Sequence, residues 1–205
     1  MPRFAMVIDL ARCVGCQACS VACSDEWEVP IGKARTHVRN TGIVGTFPHL
    51  TSTFHVAQCN HCDHPPCVLP CPTGATYQAD NGIVKVDQSL CIGCGYCVEA
   101  CPYGARFMNP RTNKVDKCDF CSARVERGEQ PACVNTCTAH AKFFGDLEDP
   151  QSFDPRHVHM MDQTRRESFR PGLRIKKTCW AATGCAACKG SQECLKRLHD
   201  SNSSC

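Results

Sequence analysis

Closely spaced cysteines are the residues of this chain whose type and pattern point most clearly to chemistry. The stretch CIGCGYCVEACP at residues 91–102 places four thiols within eleven positions, and a proline follows the last one. A C-x2-C-x2-C run wraps the backbone so that three thiolates converge on one small object. The fourth cysteine points away and is suited to ligate a second cluster. This spacing is therefore typical of the ligands of a cluster of four irons and four sulfides.

Four such groups occur along the 205 residues, which hold 21 cysteines in all. Residues 13–23 read CVGCQACSVAC and keep the spacing of residues 91–101. Residues 59–72 read CNHCDHPPCVLPCP, a variant with four residues before its third cysteine. The last group has CDFC at 118–121 and CVNTC at 133–137. The sixteen candidate ligands are Cys13, Cys16, Cys19, Cys23, Cys59, Cys62, Cys67, Cys71, Cys91, Cys94, Cys97, Cys101, Cys118, Cys121, Cys133 and Cys137.

Other chemistries of cysteine fit this pattern less well. Structural zinc sites use two C-x2-C pairs, and they do not need a third cysteine two residues after the second. A disulfide scaffold would require neighbouring cysteines to find separate partners in a fold crowded with thiols. A redox enzyme of the thioredoxin type needs one C-x2-C motif, and this sequence has several. The repeated groups favour iron–sulfur clusters.

Composition narrows the remaining function classes. The formal net charge of +3 is too small to indicate nucleic-acid binding. The apolar run from Phe4 to Leu10 is interrupted by Asp9, and no segment approaches the length that spans a bilayer. We therefore expect a chain that is soluble by itself and reaches a membrane only through a partner. No nucleophile–base pair or phosphate loop stands out, so no substrate pocket is predicted.

Short elements are predicted between the cysteine groups. A strand is expected at FAMVIDL (4–10), and hairpins at TYQADNGIVKVD (76–87) and RFMNPRTNKVD (106–116). Short helices are expected to follow groups one and three, because VACSDEW (21–27) and CVEACP (97–102) carry small and helix-tolerant residues. Residues 24–54 are interpreted as a long connection, and the polar, proline-bearing sequence after about residue 148 as loop-like.

The order of the spacings resembles the four-cluster iron–sulfur electron-transfer subunits of the dimethyl sulfoxide reductase family. It resembles most those of polysulfide and thiosulfate reductases. The motifs that carry the likeness are CVGCQACSVAC, CNHCDHPPCVLPCPTGA, CIGCGYCVEACPYGAR, KCDFCSARVERGEQPACVNTC and FGDLEDP at 144–150. Together they cover about residues 3–150.

The resemblance implies an α+β fold of two nested bacterial ferredoxin-like [4Fe-4S] domains with short hairpins and helices, followed by an irregular C-terminal tail. The outer domain would comprise residues 1–54 and 105–148, and the inserted domain residues 55–104. Residues 149–205 would form a C-terminal extension.

The resemblance also implies four [4Fe-4S] clusters with exchanged ligands. The four sets would be Cys13, Cys16, Cys19 and Cys137; Cys118, Cys121, Cys133 and Cys23; Cys59, Cys62, Cys67 and Cys101; and Cys91, Cys94, Cys97 and Cys71. In the family, the cluster of the Cys13 set lies nearest the catalytic partner and that of the Cys91 set nearest the membrane anchor. Because Cys94 stands where some relatives have tryptophan, the Cys91 set is expected to hold four irons.

The function implied is that of a non-catalytic electron-transfer subunit of an oxidoreductase complex in anaerobic respiration. It would relay electrons between a quinone-binding integral membrane subunit and a molybdopterin-containing catalytic subunit. The complex would be peripheral to the membrane, on the periplasmic face through co-export with the catalytic partner, while the cytoplasmic face stays open. The terminal substrate and the direction of electron flow also stay open.

Two other hypotheses are kept. The chain could be a metal-stabilised scaffold or assembly protein whose metals only hold the fold. The same relay could also serve a formate dehydrogenase or a hydrogenase.

Several residues depart from the family pattern or have a weaker signal. Thr138 follows Cys137 where relatives usually have proline, and the last part of the sequence adds Cys179, Cys185, Cys188, Cys194 and Cys205. These five are interpreted as free thiols, with disulfides or a fifth metal site built from the first four as alternatives. His61, His64, His157 and His159 are not expected to be ligands. Lys114, Lys117, Arg124 and Arg127 are expected on a solvated face, with a docking or potential-tuning role as the alternative.

Overall fold

The computed structural model of the protein describes residues 2–152 and 173–176. Short strands and helices alternate along this part of the sequence, so the fold is a small mixed one, as expected. Its strands are β1 (Phe4–Asp9), β2 (Thr36–Thr46), β3 (His49–Gln58), β4 (Thr76–Gln78), β5 (Val84–Val86), β6 (Arg106–Asn109), β7 (Lys114–Lys117), β8 (Lys142–Asp146) and β9 (Leu173–Lys176). Its helices are α1 (Ala18–Glu26), α2 (Tyr96–Glu99), α3 (Ser122–Glu126) and α4 (Ala132–Asn135), and a 3-10 turn spans Pro150–Ser152.

The predicted first strand is confirmed and forms the centre of a three-stranded sheet. β1 pairs antiparallel with β8, from Phe4 opposite Asp146 to Ile8 opposite Lys142. Its apolar residues 5–8 are fully buried, and alternate ones pack into different core clusters. Burying each of the larger side chains contributes roughly 1.5–3 kcal/mol. The pairing brings the strand before the first cysteine group next to the strand after the last group.

Both predicted hairpins are confirmed. β4 pairs antiparallel with β5, and Gly82 adopts a positive φ of 80° in the connecting turn. β6 pairs antiparallel with β7, with Asn113 at φ 53° in its turn. Each hairpin joins the end of one cysteine group to the start of the next.

The interpretation of residues 24–54 as a connection is wrong for its second half. β2 and β3 form the longest hairpin of the described residues, and a register irregularity lies between Asn40 and Ile43. The sequence there is rich in Thr, Val and Ile, which suit a pleated backbone. The buried residues of this hairpin lie near its base, as Thr36, Val38 and Val56 do, whereas most of its distal half is exposed. The missing apolar alternation in that distal half explains why sequence patterning overlooked it.

The expectation of an irregular tail is also corrected at one point. Residues Leu173–Lys176 form β9, which pairs parallel to β1 from Met6 opposite Leu173 to Asp9 opposite Lys176. The remaining predictions for the tail, on His157, His159 and the five late cysteines, lie outside the described residues.

The short helices begin inside the cysteine groups, at or before the positions expected. α1 contains Cys19 and Cys23, and α2 contains Cys97. Two further short helices, α3 and α4, flank the loop of the last group and were not predicted. Each is only a turn or so long, which is below the length at which periodicity is readable.

Candidate iron–sulfur centres

Left-handed backbone residues turn the cysteine loops into the helices that follow them. Gln17 precedes α1 at φ 62°, Gly95 precedes α2 at φ 79°, and Cys121 precedes α3 at φ 53°. Such a residue reverses the local chain direction within one step. The loop thiols and the first helical cysteine can therefore face the same space.

One cavity is lined by the four thiols of the Cys13 set. It is partly open to solvent. Group one contributes three thiols, and the fourth comes from the turn after α4. The apolar wall includes Ile8, Val38 and Val56. The four cysteines are Cys13, Cys16, Cys19 and Cys137.

A second cavity, also partly open, is lined by the four thiols of the Cys118 set. Its wall includes Met6, Trp27 and Phe120. α1 delivers one thiol and the last group the other three. The four cysteines are Cys23, Cys118, Cys121 and Cys133.

The thiols of the Cys59 set influence one another across groups two and three. Burial raises the pKa of Cys62 to about 12, and the neighbouring Cys59, Cys67 and Cys101 contribute to this rise. The Cys118 set shows the same pattern, because burial, followed by Cys133 and Cys121, raises the pKa of Cys23 to about 12. Such mutual effects require the thiols to lie close together.

The Cys91 set is split between the core and the surface. Cys91 and Cys97 pack with Val84 and Val115 in a hydrophobic cluster, whereas Cys94 is exposed. Cys71 is half-buried, and its sulfur accepts a hydrogen bond from the Thr76 amide at 3.4 Å.

The donor sets suit clusters better than single ions. Within the described part of the sequence, no three His, Cys, Asp or Glu side chains converge closely enough to hold one metal ion. The thiols of two sets instead surround partly open cavities, each lined by four cysteines. All-thiolate sets of four are the ligands of four-iron clusters. The residues present therefore fit [4Fe-4S] clusters.

Side chains that the sequence did not single out donate hydrogen bonds to cysteine sulfurs. Trp27 Nε1 lies 3.2 Å from Cys121 Sγ, and Arg106 Nη2 lies 2.9 Å from Cys67 Sγ. A donor to a ligand sulfur stabilises negative charge on the cluster and so tunes its potential. One signal was available, because Arg106 and Lys142 each stand five residues after the last cysteine of a group.

Lys142 is a buried amine with cysteines of two sets beside it. Burial lowers the pKa of Lys142, but the neighbouring Cys133, Cys19 and other cysteines raise it, and the net shift is upward.

The remaining predicted polar residues have local roles. His61 is buried, its Nδ1 accepts a hydrogen bond from the Val84 amide at 3.0 Å, and burial lowers its pKa well below the usual value. His64 is exposed. Lys117 is 3% exposed, which contradicts its expected place on a solvated face. Arg124 forms ion pairs with Glu26 and Glu129, and Arg127 pairs with Glu129; Lys114 is half-buried.

Comparison with known proteins agrees with this chemistry. The profile of the 4Fe-4S dicluster domain matches residues 50–147. The sequence is 49% identical to the B subunit of tetrathionate reductase from Salmonella typhimurium, over 80% of this chain and 64% of that subunit. It is 43% identical to the thiosulfate reductase electron transfer subunit PhsB of Salmonella typhi, over 83% of this chain and 88% of that subunit. It is 44% identical to the B component of polysulfide reductase from Wolinella succinogenes, over 73% of this chain and 80% of that component.

The fold, the thiol sets and these similarities define an iron–sulfur protein of the ferredoxin-like dicluster class. This protein belongs to the family of iron–sulfur electron-transfer subunits of dimethyl sulfoxide reductase-like complexes. The match spans 64% of the length of the tetrathionate reductase subunit, so about a third of that relative has no counterpart in the alignment. Among the described residues, no helix has the length and apolarity to cross a membrane.

Proposed function

We propose that the protein carries four [4Fe-4S] clusters and relays electrons through them one at a time. Each cluster is held by one of four ligand sets: the Cys13, Cys118, Cys59 and Cys91 sets. Cavities lined by all four members support the first two sets, and the neighbours that raise the Cys62 pKa support the third. The fourth set rests on its spacing and on the shared burial of Cys91 and Cys97.

The single observation that carries the proposal is the convergence of distant groups on common cavities. Cys137 joins a loop more than a hundred residues earlier in the sequence, and Cys23 joins the last group in the same way. This exchange is what a pair of neighbouring clusters requires. It supports the nested arrangement of residues 1–54 with 105–148 around residues 55–104.

The ends of the relay lie at the Cys13 and Cys91 sets. Of the sixteen described cysteines, Cys16 and Cys94 are the exposed ones. Each stands two residues after an exposed apolar residue, Val14 at 61% and Ile92 at 67%. An exposed ligand with apolar surface around it suits electron entry or exit at a docking face.

The partners are a molybdopterin-containing catalytic subunit at the Cys13 end and a quinone-binding integral membrane subunit at the Cys91 end. The names of the relatives, which refer to tetrathionate, thiosulfate and polysulfide, favour a sulfur compound as the terminal substrate. The complex is peripheral to the membrane, on its periplasmic face. When the clusters are bound, they supply one-electron chemistry, while the protein supplies ligands, burial and hydrogen bonds.

Metal analysis of the protein purified anaerobically from its native membranes tests this function. We expect molybdenum to co-elute with the tagged chain, and about sixteen irons to remain on it once its partners are removed, four for each cluster. About sixteen irons without molybdenum would support the four-cluster relay but contradict the proposed molybdopterin-containing partner. Zinc in place of iron would overturn the relay and favour a metal-stabilised scaffold.

A further inference from the structure

The amine of Lys142 lies in the core, at the start of β8. The residue is 4% exposed. Its Nζ donates to Gln58 Oε1 at 2.9 Å and to Thr36 Oγ1 at 3.3 Å. Both acceptors are uncharged, and none of the ion pairs found within residues 2–152 includes Lys142. A buried charge without a carboxylate partner is costly, so the cysteine ligands beside it, or the cluster they bind, must compensate it.

Lys142 stands between the two outer cavities, which are those of the Cys13 set and the Cys118 set. Its side chain lines the first cavity. Thr36 and Gln58, which accept its hydrogen bonds, line the second. Lys142 therefore lies beside the first cavity, and its amine is hydrogen-bonded to two residues that line the second. According to the proposed function, a negatively charged thiolate-ligated cluster is bound in each cavity.

A second buried cation occupies a comparable place in the other half of the molecule. Arg106, 4% exposed, stands five residues after Cys101, as Lys142 does after Cys137. Its Nη1 donates to Thr76 Oγ1 at 3.1 Å, and Nη2 donates to Cys67 Sγ. A buried cation that donates a hydrogen bond to a buried threonine thus lies beside the two outer sets, and another lies beside the Cys59 set, which is one of the two inner sets with the Cys91 set.

We propose that Lys142 is the shared counter-ion of the two outer clusters and raises the reduction potentials of both. This inference rests on the proposed function. Reduction adds one electron, and hence one negative charge, to a cluster. A fixed positive charge nearby favours the reduced form, more strongly in a buried site than in water. Because Lys142 lies beside one cavity and is bonded to the wall of the other, it keeps the two potentials close and high enough for electrons to pass between them.

Potentiometric titration of the purified complex, followed by electron paramagnetic resonance, tests Lys142 through three variants. Lys142→Met removes the charge and keeps the approximate length of the side chain. It should shift the reduction equilibrium of at least one outer cluster about tenfold towards the oxidised form, which is about 59 mV for one electron. Lys142→Arg should stay near the wild-type potentials. Arg106→Met, the matched control, should shift an inner cluster and leave the outer ones unchanged.

Iron content separates a charge effect from a failure to assemble. The proposal would be overturned if Lys142→Met keeps the wild-type iron content and the reduction equilibrium constants of both outer clusters change by less than about twofold. If Lys142→Met loses iron, Lys142→Gln provides a neutral side chain that still forms hydrogen bonds. Iron loss in both neutral variants, with full iron content in Lys142→Arg, would support the need for a charge. Loss in all three would make Lys142 a packing residue and overturn the proposal.

The proposed function fails independently of this inference. A wild-type protein with zinc, or with far fewer than about sixteen irons, contradicts the four-cluster relay before any variant is measured. Unchanged potentials in Lys142→Met contradict the role of Lys142 alone.

Discussion

At the scale of single residues, Trp27 and Arg106 donate hydrogen bonds to cysteine sulfurs and so act on the thiols that would hold the clusters. Three thiols of each loop must face one object, and this can be seen in the sequence. The partners that tune those thiols could not be found in the same way. Trp27 and Arg106 donate to sulfurs that are 94 and 39 residues away in the sequence, and only folding places them there. Lys117 shows the reverse error, because a lysine was assumed to be solvated and is buried.

Substitution of one exposed ligand tests the role of a single cysteine. Cys94→Ser should damage the cluster of the Cys91 set, because a serine hydroxyl is a much poorer iron ligand than a thiolate. The protein should lose between about one and four of its irons, and quinol-linked turnover of the complex should fall about tenfold or more. Iron analysis and a turnover assay measure the two effects.

The matched control for this variant is Cys205→Ser, since Cys205 is interpreted as a free thiol outside the ligand sets. It should keep the full iron content and full turnover. Intact cluster signals and turnover in Cys94→Ser would remove Cys94 from the ligand set.

At the scale of elements, prediction succeeded where a turn residue or an apolar run marked the boundaries. β1 is apolar up to Asp9, and the two short hairpins have Gly82 or Asn113 at their turns. The β2–β3 hairpin was missed because its distal half is exposed and lacks an apolar face. The helices α3 and α4 are too short to show a period. In this protein, the local sequence predicts an element only where an apolar pattern or a turn residue marks it.

The third cysteine loop and the β6–β7 hairpin are packed too closely for a side chain between them. Gly93 adopts φ 73°, and a Cβ there would collide with the carbonyl oxygen of Asn113 in the hairpin turn. Gly95 adopts a similar φ of 79° but has open space around its Cα. Gly93→Ala should therefore lower the free energy of unfolding by about 2–4 kcal/mol, because it adds backbone strain and displaces the hairpin. Gly95→Ala should lower it by about 1–2 kcal/mol, because it adds strain alone.

Thermal unfolding of the iron-loaded protein compares the two glycine variants. Gly93→Ala should lower the Tm by several degrees more than Gly95→Ala, and it should release iron faster. Equal effects of both substitutions would show that contact between the loop and the hairpin contributes nothing to stability.

At the scale of the whole molecule, the sheet and two cavities support the proposed pairing of the first group with the last. The first and last groups meet because β1 pairs with β8. Spacing alone gives each group a fourth cysteine that points away, but it does not say which loop receives that cysteine. The family resemblance supplied an answer, and for two sets the cavities are lined by the expected residues. The strand β9 could not be foreseen, because LRIK is a four-residue piece in a polar segment.

The central claim is that the metals of this protein carry electrons rather than only support the fold. A coulometric reduction of the protein, isolated anaerobically with its irons, tests this claim most directly. We predict that it accepts about four electrons, one for each cluster, at potentials between about −700 and +450 mV, and that it returns them on reoxidation. A protein that retains its metals but accepts no electrons in that range would contradict the claim and show a scaffold.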